Sequence, residues 1–133
     1  MNKILVEVSV GELWDKISIL EIKKEKIKDP ESLKIIHNEY LVLDEQVKGK
    51  VPQSPKLASL FEELKEINSK LWVIEDDKRM CEKNKDFGEN FIKLSRDVHF
   101  LNDNRAKIKL EINNHTDSKI KEIKEYTKYW LTL

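Results

Sequence analysis

The chain has 133 residues, 39% of them apolar and 38% charged, and its 25 Lys plus Arg are balanced by 25 Asp plus Glu. That length suits one domain, and the balanced charge gives no electrostatic footprint for nucleic acid or an anionic membrane surface. No stretch approaches the roughly 18 apolar residues of a membrane span, the single Cys81 cannot form an intramolecular disulfide, and His37, His99 and His115 are too scattered for a metal site.

Residues 3–8 (KILVEV) are rich in β-branched side chains and suit a short strand. A lone strand is not stable. Pairing with the apolar tail Tyr129-Trp130-Leu131, pairing with a second copy of the segment, and simple extended chain are the three alternatives. Glu7 interrupts the apolar run and no small-residue cleavage site follows, which argues against a signal peptide and makes the cytoplasm the expected location.

The breakers divide the rest. Ser9-Val10-Gly11-Glu12 reads as a capping box, with the Ser9 hydroxyl on the Glu12 N–H and the Glu12 carboxylate reaching back to Ser9. Leu13, Ile17, Leu20 and Ile27 then share one face, predicting a first helix over about residues 10–28. Asp29-Pro30 starts a second helix that runs to about Lys48 and carries Leu33, Ile36, Tyr40, Leu43 and Val47. Ser54-Pro55 repeats that start signal. The third helix holds a heptad seam of Leu57, Leu60, Leu64, Ile67, Leu71 and Ile74 and extends as far as Lys85. Asp86-Phe87-Gly88 makes the turn into a fourth helix with Phe91, Leu94, Val98, Leu101, Ile108 and Ile112, ending near Asn113-Asn114. A short last helix starts near Asp117-Ser118 and carries Ile120, Ile123 and Tyr126. The expected fold is all-α: one antiparallel bundle of four main helices plus a short C-terminal helix, with residues 3–8 as a candidate strand.

No phosphate-cradling glycine loop, paired-cysteine motif, zinc-protease helix or nucleophile elbow occurs, and no cofactor or metal is expected. Candidate chemistry therefore rests on polar residues that interrupt apolar faces. Glu75 and Arg79 lie one turn apart: a surface ion pair is the plain reading, and a stripe of Asn68, Trp72, Glu75 and Arg79 beside the seam the sharper one. Arg105 falls on the seam of the fourth helix, where an arginine needs a carboxylate or an anionic ligand. Counting outward from the short turn brings Glu75, Arg79, Asn102 and Arg105 within about a helical turn of each other, with Arg96 nearby on the same helix. Glu21 sits in a segment apolar on more than one face, where Arg79 or Arg105 are its natural partners and solvent exposure is the alternative. The cluster is either a structural salt-bridge network or a ligand site. Trp14, Trp72 and Trp130 read as core or interface anchors, and Cys81 as an inert helix residue.

Residues 6–23, from Val6-Glu7-Val8-Ser9-Val10-Gly11-Glu12 to Ile19-Leu20-Glu21-Ile22-Lys23, resemble the opening of a family of short bacterial proteins of unknown function. Two later segments of that family, LW-x-x-ED-x-x-R and ND-x-R-A, are matched by Leu71 to Arg79 and Asn102 to Ala106. The resemblance covers nearly the whole chain. It implies a helical bacterial protein with no established activity, loosely linked to cell-surface polysaccharide and glycosyl transfer, and it supplies no catalytic residue.

Two functions follow as expectations. The first is a non-enzymatic helical interaction protein that self-associates into a homo-oligomer, suggested by the long seam, the missing catalytic signatures and the apolar ends. The second is a bundle enzyme or binding protein for a small anionic metabolite. Where the arginines point discriminates them: a pocket lined by two of Arg79, Arg96 and Arg105 means a site, and arginines tied to carboxylates mean structure.

Overall fold

The computed structural model describes residues 2–118. It contains four helices, α1 (Val10–Lys26), α2 (Pro30–Lys50), α3 (Pro55–Lys83) and α4 (Glu89–His115). Three begin on the expected caps. Ser9 Oγ accepts from the Glu12 N–H at 3.0 Å, Asp29 from the Ser32 N–H at 3.0 Å, and Ser54 from the Leu57 N–H at 3.2 Å. Each hydroxyl or carboxylate satisfies an amide that the first helical turn leaves without a partner. The reciprocal half of the Ser9 capping box is not made, because the Glu12 carboxylate goes to Lys109 instead.

The ends of α3 and α4 share one device. After α3, Lys85 takes a left-handed conformation (φ 55°), the Lys85 N–H donates to Glu82 O and the Asp86 N–H to Cys81 O. After α4, Asp117 does the same (φ 54°), with the Asp117 N–H on Asn114 O and the Ser118 N–H on Asn113 O. These are Schellman closures, with Lys and Asp where glycine is commonest. Helix α4 thus runs on past Asn113-Asn114 to His115.

Two expectations change at the chain ends. Residues 2–8 form neither helix nor strand, and Ile4, Leu5 and Val6 are 85%, 83% and 75% exposed. A strand needs a partner for its backbone groups, and no other strand exists among the described residues. The expected short helix on Ile120, Ile123 and Tyr126 and the tail Tyr129-Trp130-Leu131 lie outside the described residues.

Helix α1 packs against each of the other three helices, and α3 against α4 is the most extensive pair. The main core gathers Trp14 and Ile17 of α1, Val47 and Val51 at the end of α2, Leu57, Leu60 and Leu64 of α3, and Ile108 and Ile112 of α4. Leu64 and Ile112 are fully buried, and Trp14 meets Phe61 edge to face at 5.5 Å. Burying such side chains contributes about 1.5–3 kcal/mol each before entropy is counted. No helix among the described residues is long and apolar enough to cross a membrane.

Candidate functional site

Four buried residues of α1 share one stripe at heptad spacing, Gly11, Asp15, Ser18 and Ile22, and the first two of them meet α4. A glycine at the first of these positions lets the backbones touch. A methyl group on Gly11 would come within 2.6 Å of the Lys109 carbonyl oxygen. The same closeness lets the Gly11 N–H donate to Asn113 Oδ1 at 2.7 Å, while the Val10 N–H donates to Ser118 Oγ at 3.3 Å. Two first-turn amides of α1 are thereby satisfied by the end of α4, which runs antiparallel to it, and by the turn that follows.

One turn further on, Asp15 is only 2% exposed. Arg105 Nε donates to its Oδ1 at 2.9 Å and Arg105 Nη2 to its Oδ2. Asn68 Nδ2, from α3, donates to Oδ1 at 2.9 Å and to Ser18 Oγ at 2.8 Å. The Ser18 hydroxyl in turn donates to the Asp15 backbone carbonyl at 2.8 Å. Lys109 Nζ lies 3.8 Å from Asp15 Oδ2 and 2.7 Å from Glu12 Oε2. Three helices thus converge on one carboxylate. Burial raises the Asp15 pKa, but hydrogen bonds from Arg105 and Asn68 and the charges of Arg105 and Lys109 outweigh it, holding the carboxyl below its ordinary value. The planar guanidinium suits this two-point grip in a way an ammonium cannot. Among the described residues no buried side-chain nitrogen or oxygen lacks a hydrogen-bond partner.

The residues expected to form a cluster are distributed differently. Arg105 is in it, and Asn102 accompanies it, its Oδ1 accepting from Arg105 Nη1 at 3.4 Å. Glu21 is half-buried and pairs with Lys65 of α3 at 3.1 Å, not with Arg79 or Arg105. Lys65 also takes Glu25 at 2.9 Å; the Glu25 hydrogen bond leads in raising its pKa, with Glu21 adding to it against a smaller cost of burial. Glu75 and Arg79 are exposed on α3. Arg96 is exposed on α4, its guanidinium 5.9 Å from the Phe100 ring. The register explains the separation. Asn68 and Arg105 touch the same oxygen, so Asn68 marks the level of Arg105 on α3, and Glu75, seven residues further along, lies about 10 Å beyond it.

Asp15 and Lys109 are the members that residue-by-residue reading passes over, while Asn68, expected on a stripe with Glu75 and Arg79, serves Asp15 instead. One signal was available for Asp15. It occupies a four-three-four stripe with Gly11, Ser18 and Ile22, as Arg105 occupies the stripe of α4, so two opposite charges sit on two seams.

A separate open groove of about 620 Å³ between α3 and α4 is lined by apolar Val73, Ile74, Phe100 and Leu101 and by polar residues that include Lys70 and Asp97. It lies apart from the Asp15 cluster. No group of three or more His, Cys, Asp or Glu able to hold a metal ion occurs among the described residues.

No curated protein and no solved structure matches the chain. A model described as a family of unknown function (DUF6165) matches residues 4–132, nearly the full length, and the chain belongs to that family.

Proposed function

We propose that this protein is a non-enzymatic helical interaction protein that associates with itself. The observation that carries the reading is the charge balance of the Asp15 cluster. Among the described residues, two carboxylates, Glu12 and Asp15, stand against two cations, Lys109 and Arg105, at hydrogen-bonding distance. A site for an anionic metabolite, such as a sugar phosphate or nucleotide sugar of glycosyl-transfer chemistry, works through surplus positive charge. A neutral cluster spread over three helices instead sets their register.

Apolar surface elsewhere supports contact with another protein. Ile35 and Val42, two turns apart on α2, are 69% and 59% exposed, and Val73, Met80 and Ile92 of the α3–α4 pair are each about half exposed. Single exposed apolar residues are ordinary, but stripes of them favour association.

Sedimentation equilibrium over a range of concentrations tests the proposal. The expected mass rises above the 15.8 kDa of one chain as concentration rises, and a constant single-chain mass overturns it. A thermal-shift screen with phosphorylated sugars, nucleotide sugars and carboxylates is expected to show no saturable rise. Such a rise would move the reading to a metabolite site, because a ligand that binds only the folded state stabilises it by mass action.

A further inference from the structure

We propose that residues 3–7 pair with the same residues of a second copy as an antiparallel β-ribbon, centred on Leu5, and so join two bundles about a two-fold axis. The inference deepens the self-association reading and rests on it.

Three observations carry it. The first is composition against exposure. Lys3, Ile4, Leu5, Val6, Glu7 and Val8 are all exposed, and this β-branched run has no strand to join among the described residues. An unpaired segment of this kind is a template for another chain.

The second is charge complementarity with itself. In an antiparallel pair centred on Leu5, Lys3 stands opposite Glu7 of the second copy, and Glu7 opposite its Lys3. Ile4 then faces Val6 and Val6 faces Ile4, on the opposite side of the ribbon from the charges. Other arrangements lose this match. A parallel pair sets Lys3 on Lys3 and Glu7 on Glu7, and a two-residue slip sets Leu5 against Glu7. The two charges therefore select one register, which is the self-complementary pattern a two-fold interface requires.

The third is anchorage and room. The segment is fixed at its far end, where Ser9 caps α1, and the Val10 and Gly11 amides are held by Ser118, just after α4, and by Asn113 of α4. Only a few residues must be ordered when the ribbon forms. In the proposed register the two Ser9 positions lie roughly 27 Å apart along the ribbon, so the bundles attach at its opposite ends.

Charge reversal in the full chain tests this without threatening the fold, because both side chains are exposed and outside the helices. Lys3→Glu and Glu7→Lys each place like charges opposite one another, twice per dimer. Each is expected to raise the dimer dissociation constant roughly tenfold. An equimolar mixture of the two variants restores opposite charges at both pairs and is expected to associate as the wild type does. Lys56→Glu and Glu63→Lys, the same charge changes at exposed positions of α3, are expected to have no such effect. Wild type that associates while the reversals leave the constant unchanged, or a mixture as weak as either variant alone, overturns the ribbon and leaves self-association standing. A wild type that stays monomeric at every concentration overturns both.

Discussion

Arg105 and Asp15, 90 residues apart, meet through two nitrogens and two oxygens at the centre of the bundle, with Arg105 Nε 2.9 Å from Asp15 Oδ1. The pair ties the start of α1 to the second half of α4. Asn68 adds α3 to the same carboxylate.

Asp15→Asn is expected to destabilise the fold by about 3 kcal/mol, the low end of the cost of breaking a buried pair. The low end applies because the Arg105 side chain is 27% exposed and its stranded charge reaches water. Arg105→Leu is expected to cost more, since it leaves the carboxylate of Asp15 at 2% side-chain exposure. Urea unfolding of the two variants measures both, and a loss under about 1 kcal/mol for either would reduce the cluster to surface electrostatics.

Acid should expose the same carboxylate. Its pKa in the fold lies below the ordinary value of an aspartate carboxyl, so its contribution to stability is fully present above that ordinary value. The contribution is lost as pH falls through the lower folded pKa. The stability gap between wild type and Asp15→Asn is therefore expected to be constant near neutrality and to shrink below about pH 4. Denaturant midpoints taken from pH 7 down to pH 3 check this, and a gap that does not narrow counts against an ionised Asp15.

Gly11 and Gly49 should respond in opposite directions to the same methyl group. At Gly11 the added carbon meets a backbone oxygen at 2.6 Å, and at Gly49 nothing lies within 4 Å. Gly11→Ala is expected to destabilise by about 2 kcal/mol through forced separation of α1 and α4. Gly49→Ala, inside α2, is expected to stabilise by roughly 0.5–1 kcal/mol by restricting the unfolded chain. Thermal melts of both variants decide the matter, and a tolerated Gly11→Ala would mean the two helices yield easily.

Asn68→Leu removes the amide that serves Asp15 and Ser18 together. A loss of roughly 2 kcal/mol is expected for donors taken from buried acceptors. With one donor fewer the Asp15 pKa rises, so the acid loss begins at a higher pH than in wild type. A pH series identical to that of wild type would separate Asn68 from the carboxylate.

Much of the fold could be read locally. Ser9, Asp29 and Ser54 each announce a helix, because capping is settled within three residues of the cap. The three-four spacing of Leu57 to Ile74 makes the helical face visible for the same reason. Stop signals were less clear: Lys85 and Asp117 take the left-handed turn that Gly or Asn would have advertised. Residues 3–8 have strand composition, but forming a strand depends on a partner that lies elsewhere.

The candidate site was legible only in half. Arg105 on a seam declared that it needed an anion, and nothing local to Arg105 could name the anion. Glu75 and Glu21 were the visible carboxylates, yet Glu75 is exposed and Glu21 goes to Lys65. The sequence by itself determined the helices, their apolar faces and the presence of an unbalanced charge in a seam, since these depend on residues a few positions apart. Only the tertiary structure decided that Asp15, capped by Asn68 and flanked by Lys109, is the partner. That choice depends on how closely α1 approaches α4 over Gly11 and on which rung of α3 falls level with Arg105, and such distances are set by the packing of whole helices.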